Sequence, residues 1–272
     1  MLTPEVTSSL RYLIPTGERP IYIASRGGAD AALNIGAEFE ERDLTIHNAR
    51  AMSPVANLDV QGFTLREHRS AVTDFYKLEA ERATYEAEIS ELVLTVTGAT
   101  DFFVFDHTLR SDSSAVRGER NTREPASVIH NDYTDASAEK RLQELMGAAQ
   151  AAQRLQRRFA IVNVWRSIRA TVWNSPLACC DASTLSSADL VASERRAHDR
   201  IGELELASWS PAHRWYYYPE MSATEALLIK TFDSCRDGRA TRTIHSAFDN
   251  PLAPADAPPR ESLESRMLLF FD

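Results

Sequence analysis

Short apolar stretches, each bounded by Pro, Gly, Asn, Asp or Ser, dominate this chain. Most are rich in β-branched or aromatic residues, and several alternate with polar positions, which is the pattern of β-strands. They predict strands at 20–24, 44–47, 101–107, 128–134, 159–166, 176–182, 213–219, 226–232, 241–248 and 260–271. The pattern therefore predicts a mainly β protein with a few flanking helices.

Helical periodicity is confined to two segments. At 76–97, apolar residues recur at i, i+4, i+7, i+8 and i+11, and Gly98 stands where a helix C-cap is expected. A second amphipathic helix is predicted at about 134–157. The polar stretch 183–203 is interpreted as a surface connection with a helical part, and the polar loop 110–125 is a candidate lid.

Composition and charge narrow the class of protein. The 272 residues are 43% hydrophobic and 25% charged, which is enough for a sizeable core in one large domain. A net charge of −9 argues against a nucleic-acid or anionic-membrane partner. No apolar run is long enough to span a bilayer, and 1–17 lacks the apolar core of a signal peptide. Three Cys, two of them adjacent, favour a reducing, cytoplasmic location. The oligomeric state stays open.

Candidate chemistry begins in the predicted strand at 128–134. His130 and Asp132 are spaced i and i+2, so a strand projects both side chains to one face. An imidazole beside a carboxylate is two thirds of the facial triad that holds non-haem Fe(II). With seven His and 39 acids in the chain, chance gives roughly one such pair. The alternative is a surface strand with two unrelated polar residues.

Two later strands supply the missing parts. His245 lies in the middle of one strand, and Arg260 and Ser262 share a face of the last. Taken alone, His245 is typical of a core histidine and Arg260 of a surface charge. In the order His-x-Asp, His, Arg-x-Ser, the three motifs resemble Fe(II)/2-oxoglutarate-dependent oxygenases built on a double-stranded β-helix. The triad leaves open positions on the iron, and Arg suits the distal carboxylate of 2-oxoglutarate.

The resemblance becomes narrower when all blocks are taken in order. From about residue 60 onward, the chain is similar to the AsaB/CmcJ-like hydroxylase and desaturase family, which includes relatives of fungal gibberellin desaturase. The blocks are QGFTL at 61–65, FDHTLR at 105–110, VIHNDY at 128–133, NVWR at 163–166, PLA at 176–178, CDAS at 180–183, HRWYY at 213–217, EALLIK at 225–230, TIHSAF at 243–248 and PRESLESR at 259–266.

This resemblance implies a fold, a set of cofactors and a metal site. A single domain, 1–272, is expected, with a jelly-roll, cupin-like double-stranded β-helix core at 101–272. Residues 1–100 would contribute strands and a helix that pack on the barrel. Fe(II), 2-oxoglutarate and O2 are the implied cofactors, and the implied catalytic and metal-binding residues are His130, Asp132 and His245.

The resemblance also implies binding residues. Arg260 and Ser262 would hold the distal carboxylate of 2-oxoglutarate, although the Pro-rich insert before Arg260 leaves Arg266 as an alternative anchor. Arg166 then becomes available for a carboxylate of the substrate. Three further residues are candidates for the substrate pocket: Tyr133, His107 and Trp165.

The implied activity is an oxidation in secondary metabolism. An unactivated C–H bond of a small substrate would be hydroxylated, desaturated or closed into a ring, such as an aziridine on an amino acid, while 2-oxoglutarate is decarboxylated to succinate. Two alternatives remain at this point. One is a hydrolase that uses the same triad with Zn(II) to activate water. The other is a non-enzymatic β-barrel binding module in which His130 and His245 are structural.

Overall fold

The computed structural model describes residues 5–198 and 200–272. Its helices are α1 (Leu78–Thr97), α2 (Ser114–Arg120), α3 (Asp135–Met146) and α4 (Ala148–Arg154). Its strands are β1 (Val6–Ile14), β2 (Ile21–Ile23), β3 (Leu33–Ile35), β4 (Glu38–Asn48), β5 (Phe63–Glu67), β6 (Asp101–Ser111), β7 (His130–Asn131), β8 (Phe159–Ser167), β9 (Leu177–Cys180), β10 (Leu190–Arg196), β11 (Ile201–Ala207), β12 (Trp215–Tyr217), β13 (Glu225–Asp233), β14 (His245–Ala247) and β15 (Glu261–Phe270).

Two sheets divide these strands. The larger has the order β1-β4-β12-β9-β14-β7-β11-β10-β2-β3, and the smaller has the order β5-β13-β8-β15-β6. From β6 to β9 and again from β13 to β15, each strand along the chain enters the opposite sheet, apart from the inserted β10 and β11. This crossing between two facing sheets is the double-stranded β-helix, so the predicted jelly-roll core is confirmed.

Strands outside this core widen both sheets. Four N-terminal strands lie at the two edges of the larger sheet: β1 and β4 at one, β2 and β3 at the other, while β5 is an edge of the smaller sheet. The β10–β11 hairpin, inserted between β9 and β12, pairs with β7 on one side and β2 on the other. Together β2, β3, β10 and β11 form a wall beside β7.

Helix α1 covers the outer face of the smaller sheet. Its buried residues Tyr85, Ile89 and Val93 pack on Val162 and Val164 of β8, together with apolar residues of neighbouring strands. The helix ends at Gly98, which has a φ of 70° and donates its N–H to the carbonyl of Leu94. The periodic pattern had predicted this helix and its cap.

Two of the predicted elements differ from the structure. The helix predicted at 134–157 is broken at Gly147, which separates α3 from α4. Gly147 has a φ of 77° and a ψ of 159°, a backbone conformation that glycine adopts far more readily than other residues. The surface connection predicted at 183–203 is wrong, because β10 and β11 form a hairpin there. Glu194, Arg195 and Arg196 in β10 gave it a polar composition that hid the strand.

Two further segments are shorter or more ordered than predicted. The strand predicted at 128–134 is reduced to His130–Asn131 in β7, because Thr134 already caps α3 with its side chain. The loop predicted at 110–125 includes the end of β6 and all of α2.

Candidate metal centre

Neighbouring strands bring the two histidines together. His245 of β14 pairs directly with His130 of β7, and Asp132 follows one residue after β7 ends. One ligand atom from each of the three side chains lies within 4.8 Å of the others. His130 and His245 are only 8% and 3% exposed. The structure thus assembles two imidazoles and a carboxylate that are far apart in sequence.

Backbone carbonyls fix the tautomers of both rings. His130 donates its Nδ1–H to the carbonyl of Val128 at 2.9 Å, and His245 donates its Nδ1–H to the carbonyl of Thr243 at 3.3 Å. A carbonyl can only accept, so Nε2 of each neutral ring carries the free lone pair. Burial and the neighbouring His130 lower the pKa of His245 to about 4. Both rings are therefore held in a form that binds a metal.

The carboxylate of Asp132 is oriented through one of its two oxygens. Oδ2 accepts hydrogen bonds from Nδ2 of Asn163 at 2.8 Å and from Nε of Arg266 at 3.0 Å. Oδ1 faces Nε2 of His130 at 3.5 Å. Burial alone would raise the pKa of Asp132, but the charge of Arg266 and the neighbouring imidazoles of His130 and His245 outweigh it and hold that pKa well below its usual value. Oδ1 therefore remains available to bind a metal.

Arg266 is fully engaged by acidic and polar groups. Besides Asp132, its guanidinium bonds Asp106, the hydroxyl of Thr108 at 3.2 Å and Glu264 at 2.5 Å. These side chains sit at facing positions of β6 and β15. Arg266 therefore supports the candidate metal ligand, and each of its three nitrogens is already bonded within the protein.

Arg260 is in the opposite situation. It is 2% exposed, and one of its amino groups bonds the carbonyl of Ser175 at 2.5 Å. Its Nε and Nη2, and the hydroxyl of Ser262, are buried without any hydrogen-bond partner in the described part of the chain. Burial and the nearby charge of Arg110 lower the pKa of Arg260 to about 9. A buried cation and a hydroxyl with unused donors need an anion.

The other candidate pocket residues separate into two groups. Trp165 lies inside the barrel, with its ring 5.5 Å from the guanidinium carbon of Arg260, and Tyr133 lines a cavity of about 150 Å³ beside Asp132. His107 and Arg166 point to the other face of the smaller sheet. His107 bonds Ser265 there, and the Arg166 guanidinium lies 5.1 Å from the Phe75 ring under α1. The structure does not bring these two to the metal centre.

A second cavity, of about 210 Å³, opens onto His130 and Asp132. Its walls include arginines from four separate segments, none of which the sequence pattern marked as site residues: Arg11, Arg110, Arg123 and Arg195. Asn163, Glu264 and Asp106 were likewise not assigned a role in the site. A sequence pattern could have pointed to such residues: polar side chains at i, i+2 and i+4 of an apolar strand share one face, as Asp106, Thr108 and Arg110 do.

Comparison with known proteins addresses what such a site does. A family model described as an oxidoreductase/YMDC permease-like domain matches residues 10–270. The hydroxylase/desaturase CTB9 of Cercospora beticola is 33% identical over 256 residues, which cover 86% of this chain and 78% of that protein. The Fe(II)/2-oxoglutarate-dependent dioxygenase nvfI of Aspergillus novofumigatus is 31% identical over 236 residues, or 82% of this chain and 81% of that protein.

The chain belongs to the AsaB-like hydroxylase/desaturase family of Fe(II)/2-oxoglutarate-dependent oxygenases. A solved structure of the iron- and α-ketoglutarate-dependent endoperoxidase NvfI superposes with a TM-score of 0.82 at 27% identity and covers 98% of each chain. Members of this family use Fe(II), 2-oxoglutarate and O2, and the relatives act in secondary metabolism.

Membership in this oxygenase family decides between the open alternatives. The chain is an enzyme, so the binding-module interpretation is set aside, and so is the Zn(II) hydrolase. Within the residues that the structure describes, no helix is both long and apolar enough to cross a membrane.

Proposed function

We propose that His130, Asp132 and His245 hold Fe(II) and that this oxygenase oxidises an unactivated C–H bond of a small molecule. The donor set fits the metal, because two neutral imidazoles and one carboxylate oxygen converge within 4.8 Å. The bound iron, with 2-oxoglutarate and O2, supplies the oxidising power while 2-oxoglutarate is decarboxylated to succinate. Asn163 and Arg266 keep the carboxylate of Asp132 oriented toward the metal position.

The observation that carries this proposal is the unused binding capacity of Arg260 and Ser262. Both side chains are almost completely buried, and Nε and Nη2 of Arg260 together with Oγ of Ser262 lack partners among the described residues. A carboxylate can accept two parallel hydrogen bonds from a guanidinium group and another from a neighbouring hydroxyl. We assign the distal carboxylate of 2-oxoglutarate to this pair, because the four contacts of Arg266 leave it occupied.

We propose one class of reaction, the oxidation of a C–H bond, and several possible products of it. Hydroxylation, desaturation and oxidative ring closure, including aziridine formation on an amino acid, all begin with oxidation at one C–H bond. The names of the relatives include hydroxylase/desaturase and endoperoxidase, so one scaffold supports several outcomes. Pose of the substrate over the metal selects among them.

The substrate and the location complete the proposal. We take the substrate to be a small molecule with a carboxylate, but Arg166 does not support this because it lies under α1. The arginines around the 210 Å³ cavity support it instead. Cys179, Cys180 and Cys235 are free thiols, which supports a reducing cytoplasmic setting.

Succinate formation tests the proposal. Purified protein is assayed with Fe(II), ascorbate, 2-oxoglutarate and O2, alongside the variants His130→Ala and Arg260→Gln and the surface control Arg157→Gln. Slow turnover without substrate is expected in the wild type and the control and is lost in the other two. No succinate from the wild type, even with a broad panel of small molecules, together with no Fe(II) bound, would overturn the proposal.

A further inference from the structure

The cavity above the metal ligands is lined with more positive charge than its own acids neutralise. His130, Asp132 and Arg266 form its floor, and four further arginines line its walls: Arg11, Arg110, Arg123 and Arg195. Glu124 is the additional acid in the lining, and its Oε1 accepts the backbone N–H of Ala32 at 2.8 Å.

Arg123 and Arg195 are the two wall arginines that also line a second, adjoining cavity. They line both the 210 Å³ cavity and the adjoining cavity of about 150 Å³, together with Asp132 and Arg266. Their position between the two cavities places them at the approach to the metal ligands.

Among the described residues, no acid is bonded to either guanidinium. Within residues 5–198 and 200–272, the side chains of Arg123 and Arg195 make no ion pair and no hydrogen bond. Asp106 is the acid whose charge acts on Arg123, but it is bonded to Arg266 and Thr108. The other two wall arginines do have partners. Arg110 donates a hydrogen bond to the carbonyl of Glu124 at 2.8 Å, and the guanidinium of Arg11 lies 5.1 Å from the centre of the Phe39 ring.

The charge and the burial of Arg123 and Arg195 both favour binding of an anionic ligand. Burial lowers the pKa of Arg123 and of Arg195, and neighbouring arginines lower both further: Arg110 for the first and Arg266 and Arg200 for the second. The charges of Asp106 and Asp132 oppose this without reversing it. Guanidinium groups that line one cavity and are kept partly out of water are stabilised when an anion with several oxygens binds to them.

We propose that the substrate of this oxygenase carries a carboxylate or phosphate group, which Arg123 and Arg195 bind at the entrance to the metal site. The inference rests on the proposed function and names its substrate class. The volume of about 210 Å³ is below the roughly 300–1,000 Å³ of pockets that enclose drug-sized ligands. A compact acid fits this space, with its charged group between the two arginines and its carbon skeleton over the metal position.

The anion at this entrance is distinct from the co-substrate. The distal carboxylate of 2-oxoglutarate is assigned to Arg260 and Ser262, and Arg260 is not part of the lining of either cavity. Arg110 is the one wall residue whose charge also acts on Arg260. For this reason the test uses Arg123 and Arg195 and leaves Arg110 unchanged.

Calorimetry under anaerobic conditions tests the inference. The protein is loaded with Fe(II) and saturating 2-oxoglutarate and titrated with phenylacetate, phenylphosphonate, small aliphatic dicarboxylates and the corresponding neutral amides or esters. At least one acid is expected to bind about tenfold or more tightly than its neutral analogue. Carboxylate and phosphonate arms show which anion the site prefers.

Variants separate this site from the co-substrate site. Arg123→Gln and Arg195→Gln are each expected to weaken binding of the acid about tenfold, while binding of 2-oxoglutarate stays as in the wild type. Arg157→Gln, an exposed control paired with the C-terminal Asp272, leaves both unchanged. The inference is overturned if no acid binds more tightly than its neutral analogue, or if the two variants lose 2-oxoglutarate as Arg260→Gln does. Failure of the wild type to bind 2-oxoglutarate would instead count against the proposed function.

Discussion

His130 and His245 face each other across two paired strands, with ring centroids 4.5 Å apart. Each ring donates Nδ1–H to a backbone carbonyl, so the free nitrogens converge on one point. The metal position is therefore determined by strand register, and a shift of one residue in β14 would turn His245 to the other side of the sheet.

Loss of one ring is expected to abolish tight metal binding. His245→Ala removes a ligand, which is a larger change than the loss of a supporting contact, so Fe(II) affinity should fall more than about 100-fold. Anaerobic titration with Fe(II) measures this, and circular dichroism verifies the fold. His47→Ala is the matched control, because His47 is half exposed and bonds Glu5 away from the site. Unchanged affinity in His245→Ala would contradict the assignment of this ligand.

Substitutions of Arg260, just before β15, and of Arg266, within β15, are expected to weaken the binding of different ligands. Arg260→Gln should raise the Kd for 2-oxoglutarate roughly 10- to 100-fold, because charge-assisted hydrogen bonds to one carboxylate are lost. Arg266→Gln should instead weaken Fe(II) binding, because Asp132 loses its bond at 3.0 Å and its cationic neighbour. Separate titrations with 2-oxoglutarate and Fe(II) distinguish them. Equal effects on 2-oxoglutarate would return Arg266 to consideration as the anchor.

Asn163 is expected to act on the metal through Asp132. Asn163→Ala removes a hydrogen bond of 2.8 Å to the oxygen that does not face the metal position. Fe(II) affinity should fall about 10- to 100-fold, with little change in the Kd for 2-oxoglutarate. Asn174→Ala is the control, since Asn174 bonds backbone carbonyls near the Pro-rich segment. A variant that binds Fe(II) as the wild type does would show that Arg266 alone orients the carboxylate.

A buried acid away from the site is expected to make stability depend on pH. The Asp233 side chain is completely buried and bonds Arg158 at 2.7 Å and Lys230 at 2.9 Å. Burial would raise the pKa of Asp233, but these two partners outweigh it and lower that pKa. The resulting stabilisation is fully present above the unfolded-state pKa of about 3.9 and is lost as pH falls through the lower folded-state value.

Urea unfolding of Asp233→Asn measures this contribution. At pH 7 the variant should be roughly 3 kcal/mol less stable than the wild type, near the lower end for a broken buried pair, because Lys230 keeps Asp59 as a partner. The difference should shrink as the pH is lowered below about 4. Asp237→Asn, at a side chain 48% exposed, is the control. A difference that is the same at both pH values would refute the linkage.

Sequence spacing was informative where one strand sets the geometry. The i and i+2 spacing predicted that His130 and Asp132 project to the same side and that Arg260 and Ser262 share a face, while the roles of the latter two came from the family resemblance. The same rule could not orient β8, because all nine of its residues are buried on both faces of the sheet. Alternation placed Asn163 opposite Arg166 but did not reveal which of the two faces the metal.

Contacts between distant segments lay beyond the sequence pattern. Arg195 belongs to a strand that was read as a surface connection, and Arg123 belongs to a loop that was a candidate lid. Both line a cavity beside Asp132, and β10 is brought to this place because the β10–β11 hairpin pairs with β7. Neither the hairpin pairing nor the shared cavity follows from local periodicity, since both depend on tertiary folding.

The wall beside β7 has an evolutionary consequence. The proposed metal ligands lie on or beside strands of the double-stranded β-helix core, whereas Arg195 and Leu204 of the cavity lining come from the inserted β10 and β11. Mutations in those outer strands can change which molecule is admitted without altering the metal ligands. Selection can therefore diversify products within this family while the oxidation machinery is inherited intact, and transplanting the hairpin between relatives is a direct route to new specificity.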